Sequence, residues 1–272
     1  MKKLTTIIII TAMLLVSSTR IFNPHVAYAD LDDFVSCWDM DETSGARNDE
    51  SLNANNLSNS GAGSATGKIS NAVDFNLPDG DYLSIADASQ SGLDITGDLS
   101  MAVWINLDSE PGDTIYNTMV IAGKWGQSSG QRSYQFGLYD PSGTKNLNFE
   151  PSNNGSSNAR HLTPWTWSTG TWYHVGFAYD ASVPEVQFYV NGSAQGSAVS
   201  TGAYTSLHSG SATFEVGQQN GSVNHFDGQM DVLEIYDREL SSSEFADLYA
   251  SGAGIACDDP SRGSAPEPDP PL

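Results

Sequence analysis

Basic residues are scarce in this chain. Only 11 Lys and Arg residues accompany 33 Asp and Glu residues among 272, so the formal net charge at pH 7 is −22. Without Lys2, Lys3 and Arg20 near the N-terminus, eight basic residues remain and the charge is −25. Because such a surface offers little positive charge to nucleic acid or to an anionic membrane, we expect neither as a partner. The same charge disfavours a polyanionic polysaccharide as ligand.

Long apolar runs are missing after the first 29 residues, so we expect no insertion into a membrane. The N-terminal run Ile7–Val16 follows a basic start and precedes Ala27-Tyr28-Ala29, which has the small-x-small form of a cleavage site. The run is too short to span a bilayer comfortably. We therefore interpret residues 1–29 as a signal peptide and expect a secreted protein, extracellular or periplasmic.

The chain has only two cysteines, Cys37 and Cys257, and they lie near the two ends of the folded region. Zinc-type cysteine pairs are absent, and no Cys/His or Ser/His/Asp set has a recognisable spacing. In an exported protein two such cysteines are expected to form a disulfide, which would restrain nearly the whole domain. Two buried free thiols are the alternative.

Short apolar runs separated by Gly, Asn, Ser and Asp fill the region from Asp32 to Ala256, which is typical of an all-β sandwich. The clearest alternation is in two runs, Trp172–Tyr179 and Val186–Val190, joined by turn-forming residues. We expect one face of this hairpin to be buried and the other to be free. The side chains predicted to be buried are Val175, Phe177, Tyr179, Val186, Phe188 and Val190. Those predicted on the free face are Trp172, His174, Gln187 and Tyr189.

One helix is predicted, over Ser241–Ser251, with Ser242 as its cap. The chain then ends in a proline-rich stretch that favours an extended conformation. We divide the chain into a signal peptide (1–29), one folded domain (30–258) and a proline-rich tail (259–272). We expect a monomer.

Eight segments carry a resemblance to a known family when they are taken in order. They are Cys37–Glu42 with Ser44-Gly45, the Asp/Asn-rich loop Asp49–Leu57, Gly67–Phe75, Leu99–Trp104, Thr171–Val175, Phe188–Gly192, Phe226–Asp231 and Tyr236–Leu240. In this order they resemble the laminin-G-like, concanavalin A-like jelly-roll domain of exported bacterial proteins, over about residues 34 to 252. The resemblance implies an antiparallel two-sheet jelly roll with one concave sheet and a short C-terminal helix.

The resemblance also implies a structural calcium ion, because many relatives carry one. Calcium prefers carboxylate, amide and carbonyl oxygens, which are plentiful in the Asp/Asn-rich loop. The candidate ligands are Asp49, Asn53, Asn55 and Asp231. Leu52 and Ala54 stand where glycines are common in this loop. An ordinary solvated turn is the alternative.

The function that the resemblance implies is carbohydrate binding, and we predict a polysaccharide or glycan as the partner. The concave sheet and the loops at its rim would bind it, with aromatic rings stacking on the sugar. The candidate ligand-binding residues are Trp165, Trp167, His161, Arg160, Tyr139, His174, Gln187 and Tyr189. Trp125, Tyr134 and Trp172 are further candidates for stacking, and core packing is the alternative for each tryptophan.

A polysaccharide lyase or glycoside hydrolase on the same scaffold is the alternative function, and a cell-surface adhesion domain is a second. A lyase needs a base, an acid and a group that neutralises a carboxylate. The candidates for these roles are His174, Tyr189, Gln187 and Arg160, with Tyr139 and Arg132 as substitutes. The segment Gln229–Glu234 has the E-x-D-x-x-E spacing of related hydrolases, but Gln229 replaces the nucleophilic glutamate.

Overall fold

The structure is a computed structural model that describes residues 31–111, 116–220 and 223–263. The predicted signal peptide and residues 264–272 of the predicted tail lie outside the described residues. The described part forms two antiparallel sheets and one short α-helix, so the predicted antiparallel jelly-roll sandwich is confirmed. None of its helices has the length and hydropathy of a membrane-spanning helix.

One sheet has eight strands in the order β13-β12-β11-β6-β15-β4-β3, with β1 also paired to β15. Its strands are β1 (Ser36–Trp38), β3 (Gly63–Thr66), β4 (Asn71–Phe75), β6 (Leu99–Leu107), β11 (Trp172–Asp180), β12 (Glu185–Val190), β13 (Ser193–Ser200) and β15 (Gly228–Tyr236). The other sheet has seven strands in the order β10-β9-β8-β7-β14-β5-β2. Its strands are β2 (Ser58–Ser60), β5 (Tyr82–Ile85), β7 (Thr118–Trp125), β8 (Arg132–Tyr139), β9 (Asn146–Pro151), β10 (His161–Pro164) and β14 (Phe214–Val216).

The hydrophobic core lies between the two sheets. Val175, Phe177 and Tyr179 of β11 are fully buried in it, as predicted from the alternation of the hairpin. Phe177 contacts two aromatic rings of the facing sheet, with centroid distances of 5.1 Å to Phe136 and 4.5 Å to Phe149. These contacts bury large apolar surfaces from both sheets, which is the main stabilising contribution in a sandwich.

The α-helix, α1 (Ser242–Tyr249), packs on the outer face of the eight-stranded sheet. Its N-cap is Ser241, one residue before the cap predicted from sequence. The Ser241 hydroxyl accepts a hydrogen bond from the Glu244 backbone N–H, and the Glu244 carboxylate accepts one from the Ser241 N–H. This reciprocal arrangement satisfies two backbone donors at the start of the helix.

The folded domain continues past the predicted boundary at residue 258. Arg262 is fully buried, and its guanidinium forms two hydrogen bonds to Glu234 of β15, at 2.8 and 3.1 Å. The Leu31 N–H also donates to the Arg262 carbonyl oxygen at 2.9 Å. Residues 259–263 therefore belong to the domain and not to the tail. The sequence did not predict this extension of the domain, because a single arginine in a Gly/Ser/Pro-rich segment forms no periodic pattern.

The predicted disulfide is confirmed. Cys37 of β1 and Cys257 are joined, with their Cα atoms 5.8 Å apart and a sequence separation of 220. The bond links the first strand to the C-terminal segment that crosses the outer face of the eight-stranded sheet. A cross-link that encloses so long a loop limits the conformations of the unfolded chain.

We expect replacement of both cysteines by serine to lower the free energy of unfolding by about 2–5 kcal/mol, because the unfolded chain regains its freedom. Urea denaturation of the oxidised protein measures the change. The unsubstituted protein should lose the same stability in reductant, whereas the Cys37→Ser/Cys257→Ser variant should not respond to it. Equal midpoints for the oxidised protein and the variant would contradict the expectation.

Candidate functional site

The outer face of the eight-stranded sheet is covered at His174 and Tyr189, so the prediction that these two side chains are free was wrong, whereas Trp172 and Gln187 are half-buried. His174 is 2 % exposed, and its ring lies 5.2 Å from that of Trp104 and 6.2 Å from that of Tyr249. Tyr189 stacks on Phe245 of α1 with a centroid distance of 3.9 Å. The alternation correctly separated the two faces of the hairpin, but it did not show that α1 packs on the outer one.

Most of the other predicted ligand-binding residues are also engaged within the protein. Trp165 and Trp167 belong to the main core, and the Trp167 indole N–H donates to Glu110 at 2.8 Å. His161 is buried with its ring against Tyr204. The Gln187 amide donates to the backbone carbonyl oxygen of Phe188. We assign these side chains to the fold.

The predicted lyase residues do not come together. His174 and Tyr189 lie beneath α1 on the eight-stranded sheet, whereas Arg160 precedes β10 at the end of the other sheet. Burial lowers the pKa of His174 to about 4, so the imidazole is neutral and enclosed at neutral pH. These positions do not form one catalytic site.

The segment that resembles a hydrolase motif is likewise structural. Glu234 is buried against Arg262 and accepts a hydrogen bond from the Tyr236 hydroxyl at 2.6 Å. A bulge between Asp231 and Glu234, with Val232 at φ 44°, interrupts the pairing of β15 with β6. Neither carboxylate is available to a polysaccharide.

The candidate calcium ligands of the Asp/Asn-rich loop are occupied by hydrogen bonds. The two oxygens of Asp49 accept five of them, from the backbone N–H groups of Cys37, Ser51 and Asn55 and from two serine hydroxyls. The Asn55 amide bridges to Ser91, and the Asn53 amide donates to the Val35 carbonyl oxygen. The loop is therefore stabilised by its own side chains, and these residues do not fit as a set of ligands.

Asp231 differs from the other three candidates. It is fully buried, its Oδ2 accepts a hydrogen bond from the Ile69 N–H at 2.7 Å, and its Oδ1 has no partner. Burial, with nearby Asp41 and Asp39, raises its pKa to about 7. Among the described residues, no group of three or more His, Cys, Asp or Glu side chains could hold a metal ion. Of the four candidates, only Asp231 has a buried side-chain oxygen without a hydrogen-bond partner among the described residues.

The outer face of the seven-stranded sheet carries more polar groups than the part of the eight-stranded sheet that lies beneath α1. The strand register aligns Glu215, Gly123, Gln135 and Glu150 in one row across β14, β7, β8 and β9. A Cβ atom at Gly123 would lie 2.7 Å from the Tyr134 carbonyl oxygen, so only glycine fits at this point of the row. At the end of the face toward β8 and β9 is a cavity of about 240 Å³.

We call this cavity the arginine groove. It is lined by Tyr116, Trp125, Arg132, Glu150, Arg160 and Asn224, and also by Asn158. A second cavity, of about 400 Å³, adjoins it and shares Trp125 and Gln127. Trp125 is 5 % exposed, but Tyr116 is 53 % exposed and leaves most of its ring open to solvent.

A chain of three hydrogen bonds fixes the two guanidinium groups of the groove. Arg132 Nη1 donates to Asn158 Oδ1 at 2.7 Å, Asn158 Nδ2 donates to Glu150 Oε2 at 2.8 Å, and Arg160 Nε donates to Glu150 Oε1 at 2.9 Å. The Arg160 guanidinium also lies 3.9 Å from the centre of the Tyr139 ring. Tyr139 therefore orients Arg160, which differs from its predicted role of stacking on a sugar.

Several polar atoms of the groove have no partner among the described residues. Arg132 makes its hydrogen bonds through Nη1 alone, so its Nε and Nη2 have no partner there. Arg160 uses Nε and Nη2, which leaves its Nη1 without one. Asn224 is 7 % exposed, and its Oδ1 is also unpartnered. The groove thus combines unpartnered donors, an unpartnered acceptor and an exposed aromatic ring.

Sequence reasoning found Arg160, and it named Arg132 and Trp125 as secondary candidates. It missed Tyr116, Glu150, Asn158 and Asn224. No local pattern could have joined these residues, because they come from loops and strands up to 108 positions apart in the chain. The register of β7, β8 and β9 brings them together.

The sequence matches the family model of the concanavalin A-like lectin/glucanases superfamily over residues 77–246, which is more than half of the chain. The chain belongs to this superfamily. Its predicted resemblance is thereby confirmed. Comparison with curated protein sequences gives no significant match.

Solved structures share the fold at low sequence identity. Domain 4 of AbnA, a GH43 extracellular arabinanase from Geobacillus stearothermophilus solved with arabinotriose, is 20 % identical with a TM-score of 0.55; the match covers 80 % of this chain and 98 % of that domain. The binding domain of Paraclostridial Mosquitocidal Protein 1 is 17 % identical with a TM-score of 0.62, covering 82 % and 53 %. The ligand-binding domain of botulinum neurotoxin serotype D, solved with N-acetylneuraminic acid, is 13 % identical with a TM-score of 0.56, covering 80 % and 51 %. The chain spans about half of each toxin domain.

We expect His174 to make the domain sensitive to acid. The unfolded imidazole binds a proton near pH 6.5 and the folded one only near pH 4. Between these values the unfolded imidazole holds more protons, so the contribution of His174 lowers the free energy of unfolding by on the order of 3 kcal/mol as the pH falls from 6.5 to 4. Denaturation at several pH values should show that this contribution is lost in His174→Gln, whereas Val183→Ala, in an exposed turn, should keep the native slope. An unchanged slope in His174→Gln would contradict this.

Proposed function

We propose that this protein binds a glycan in the arginine groove. The observation that carries the proposal is the exposed ring of Tyr116 beside fixed guanidinium groups and an unpartnered amide oxygen. Sugars present apolar C–H faces and many hydroxyl groups, so an aromatic surface next to paired donors and acceptors suits them. The sheet beneath supplies a rigid scaffold, which limits the entropy lost on binding.

Binding fits the groove better than hydrolysis does. Glycosidases hold two carboxyl groups about 5–10 Å apart across the scissile bond. The two glutamates of the polar row, Glu150 and Glu215, are separated by β7 and β8, which places their strands roughly 14 Å apart. Glu150 is also engaged by Asn148, Asn158 and Arg160. This arrangement orients side chains and leaves no paired acid and nucleophile.

Proteins of the same fold support carbohydrate binding in general, but not a particular sugar. The arabinanase domain was solved with arabinotriose and the neurotoxin domain with N-acetylneuraminic acid, so carbohydrate ligands recur among proteins with this fold. The fold alone does not identify the ligand. We also propose that the protein acts outside the cytoplasm, which the disulfide and the signal-like N-terminal sequence support.

We expect Tyr116→Ala to weaken glycan binding about tenfold, through the loss of ~1.4 kcal/mol of aromatic contact. Retention of the mature protein on a panel of insoluble polysaccharides identifies the ligand, and titration with its oligosaccharides gives the affinities. Val183→Ala is the matched control, since Val183 is 57 % exposed in the turn between β11 and β12.

Three outcomes would contradict this proposal. Release of reducing ends or unsaturated products would reveal an enzyme, and failure to bind any member of the panel would exclude glycan binding. Equal weakening in Tyr116→Ala and Val183→Ala would place the binding site elsewhere.

Calcium binding remains a prediction, and we propose Asp231 as the residue that contacts the ion. Its partnerless Oδ1 supports this choice, and backbone carbonyl oxygens would supply further ligands. We expect calcium to raise the melting temperature of chelator-treated protein, because it binds the folded state. Asp231→Asn should abolish that rise. Asp49→Asn should lower stability but keep the rise, since Asp49 acts through hydrogen bonds. No effect of calcium on the unsubstituted protein would contradict the prediction.

A further inference from the structure

We infer that the arginine groove recognises a carboxylate on the bound glycan, so that the ligand is a polysaccharide carrying acidic sugars. This inference rests on the proposed function and adds the chemical class of the ligand. Its basis is the distribution of the few positive charges in the protein and the state of their hydrogen-bonding atoms.

The described residues contain eight lysines and arginines. Most of them serve internal contacts. Lys124, Lys145, Arg238 and Arg262 form ion pairs with carboxylates. Arg47 is fully buried and donates to backbone carbonyl oxygens, and Lys68 lies over the Trp104 ring. The remaining two, Arg132 and Arg160, both line the arginine groove.

The positive charge of these two arginines exceeds the negative charge that lies beside them in the groove. Glu150 is the only carboxylate among the described residues that line the groove, so the three charged groups together carry +1. Arg160 pairs with Glu150, whereas Arg132 is held by the Ser156 carbonyl oxygen and the Asn158 amide, which are neutral. A protein of charge −22 thus has a local excess of positive charge in its groove.

The hydrogen bonding of the guanidinium groups suits a carboxylate. Three guanidinium nitrogens have no partner among the described residues: Nε and Nη2 of Arg132, and Nη1 of Arg160. Guanidinium groups bind carboxylates through charge-assisted hydrogen bonds, which are about twice as strong as neutral ones. The chain through Asn158 and Glu150 holds both groups in place before the ligand arrives.

The overall acidity of the protein limits this recognition to sparsely charged glycans. At physiological ionic strength, charges act over about 8 Å, so a single carboxylate in the groove experiences mainly the two arginines and Glu150, which together carry +1. A densely charged polyanion would also lie against the acidic surface around the groove and be repelled. We therefore expect occasional acidic side groups on a neutral backbone.

Matched oligosaccharides test the inference. Fragments of glucuronoxylan, an acidic arabinogalactan and a sialylated glycan are titrated before and after reduction of each carboxyl group to an alcohol, which leaves the rest of the sugar unchanged. The neutral polysaccharide panel is titrated in parallel. We expect at least one acidic fragment to bind, and its affinity to fall at least tenfold on reduction.

Substitutions in the groove test whether the preference for acidic over reduced fragments arises there. Arg132→Gln should bind the acidic and reduced fragments equally, and Arg132→Lys should keep part of the preference because it keeps the charge. Lys68→Gln is the control, since Lys68 lies over Trp104 beside the other sheet. Melting curves establish that each variant is folded.

The outcomes separate the inference from the proposed function. Binding of neutral or reduced fragments as tightly as acidic ones would overturn the inference and leave glycan binding intact. A preference that persists in folded Arg132→Gln would likewise overturn it. Failure to bind any fragment or polysaccharide would overturn the proposed function, and the inference with it.

Discussion

The buried ion pair between Arg262 and Glu234 holds the C-terminal segment across the outer face of the eight-stranded sheet. Its two hydrogen bonds, together with those from Arg262 to the carbonyl oxygens of Ile255 and Ala256, satisfy a charge that would otherwise be costly to bury. The disulfide anchors the same segment to β1. With the segment in place, α1 packs on Ala102, Ala178 and Tyr189, and an apolar surface that would be exposed becomes a second core.

This closure makes the two sheets unequal. Beneath α1 the outer face of the eight-stranded sheet is apolar and buried, whereas that of the seven-stranded sheet carries Gln135, Glu150 and Glu215 in one row. Burial of these polar groups is tolerated only where hydrogen bonds compensate for lost water. At Glu150 the compensation comes from three side-chain donors, and the same contacts orient Arg160 and Asn158 toward the groove. The interactions that stabilise the polar face are thus those that prearrange the candidate site.

Eleven of the fifteen strands in the described part of the chain coincide with alternating or continuous apolar runs, from which a strand can be predicted. The four that do not, β2, β3, β10 and β13, are the edge strands of the two sheets. Edge strands pair on one side only and are often polar, which protects against aggregation; β13 reads Ser-Ala-Gln-Gly-Ser-Ala-Val-Ser and is mostly exposed. Apolar residues alternate with polar ones only where one face of a strand is buried, so this pattern does not predict strands whose two faces are exposed. For the same reason it could not distinguish the core residues Trp165 and Trp167 from surface aromatics such as Tyr116.

The net charge of the sequence likewise differs from the local charge that the structure places in the groove. The excess of acidic residues argues against a polyanionic ligand, and at long range that argument holds. Composition, however, averages over a surface, whereas recognition depends on the few groups within contact distance. Lys124 and Arg262 contribute nothing to the exterior because each is fully buried against carboxylates. The groove, by contrast, holds two arginines, Arg132 and Arg160, against a single carboxylate among its described lining residues, so a net positive charge remains there for a ligand. Scarcity of basic residues therefore makes their position in the groove more informative than it would be in a protein of balanced charge.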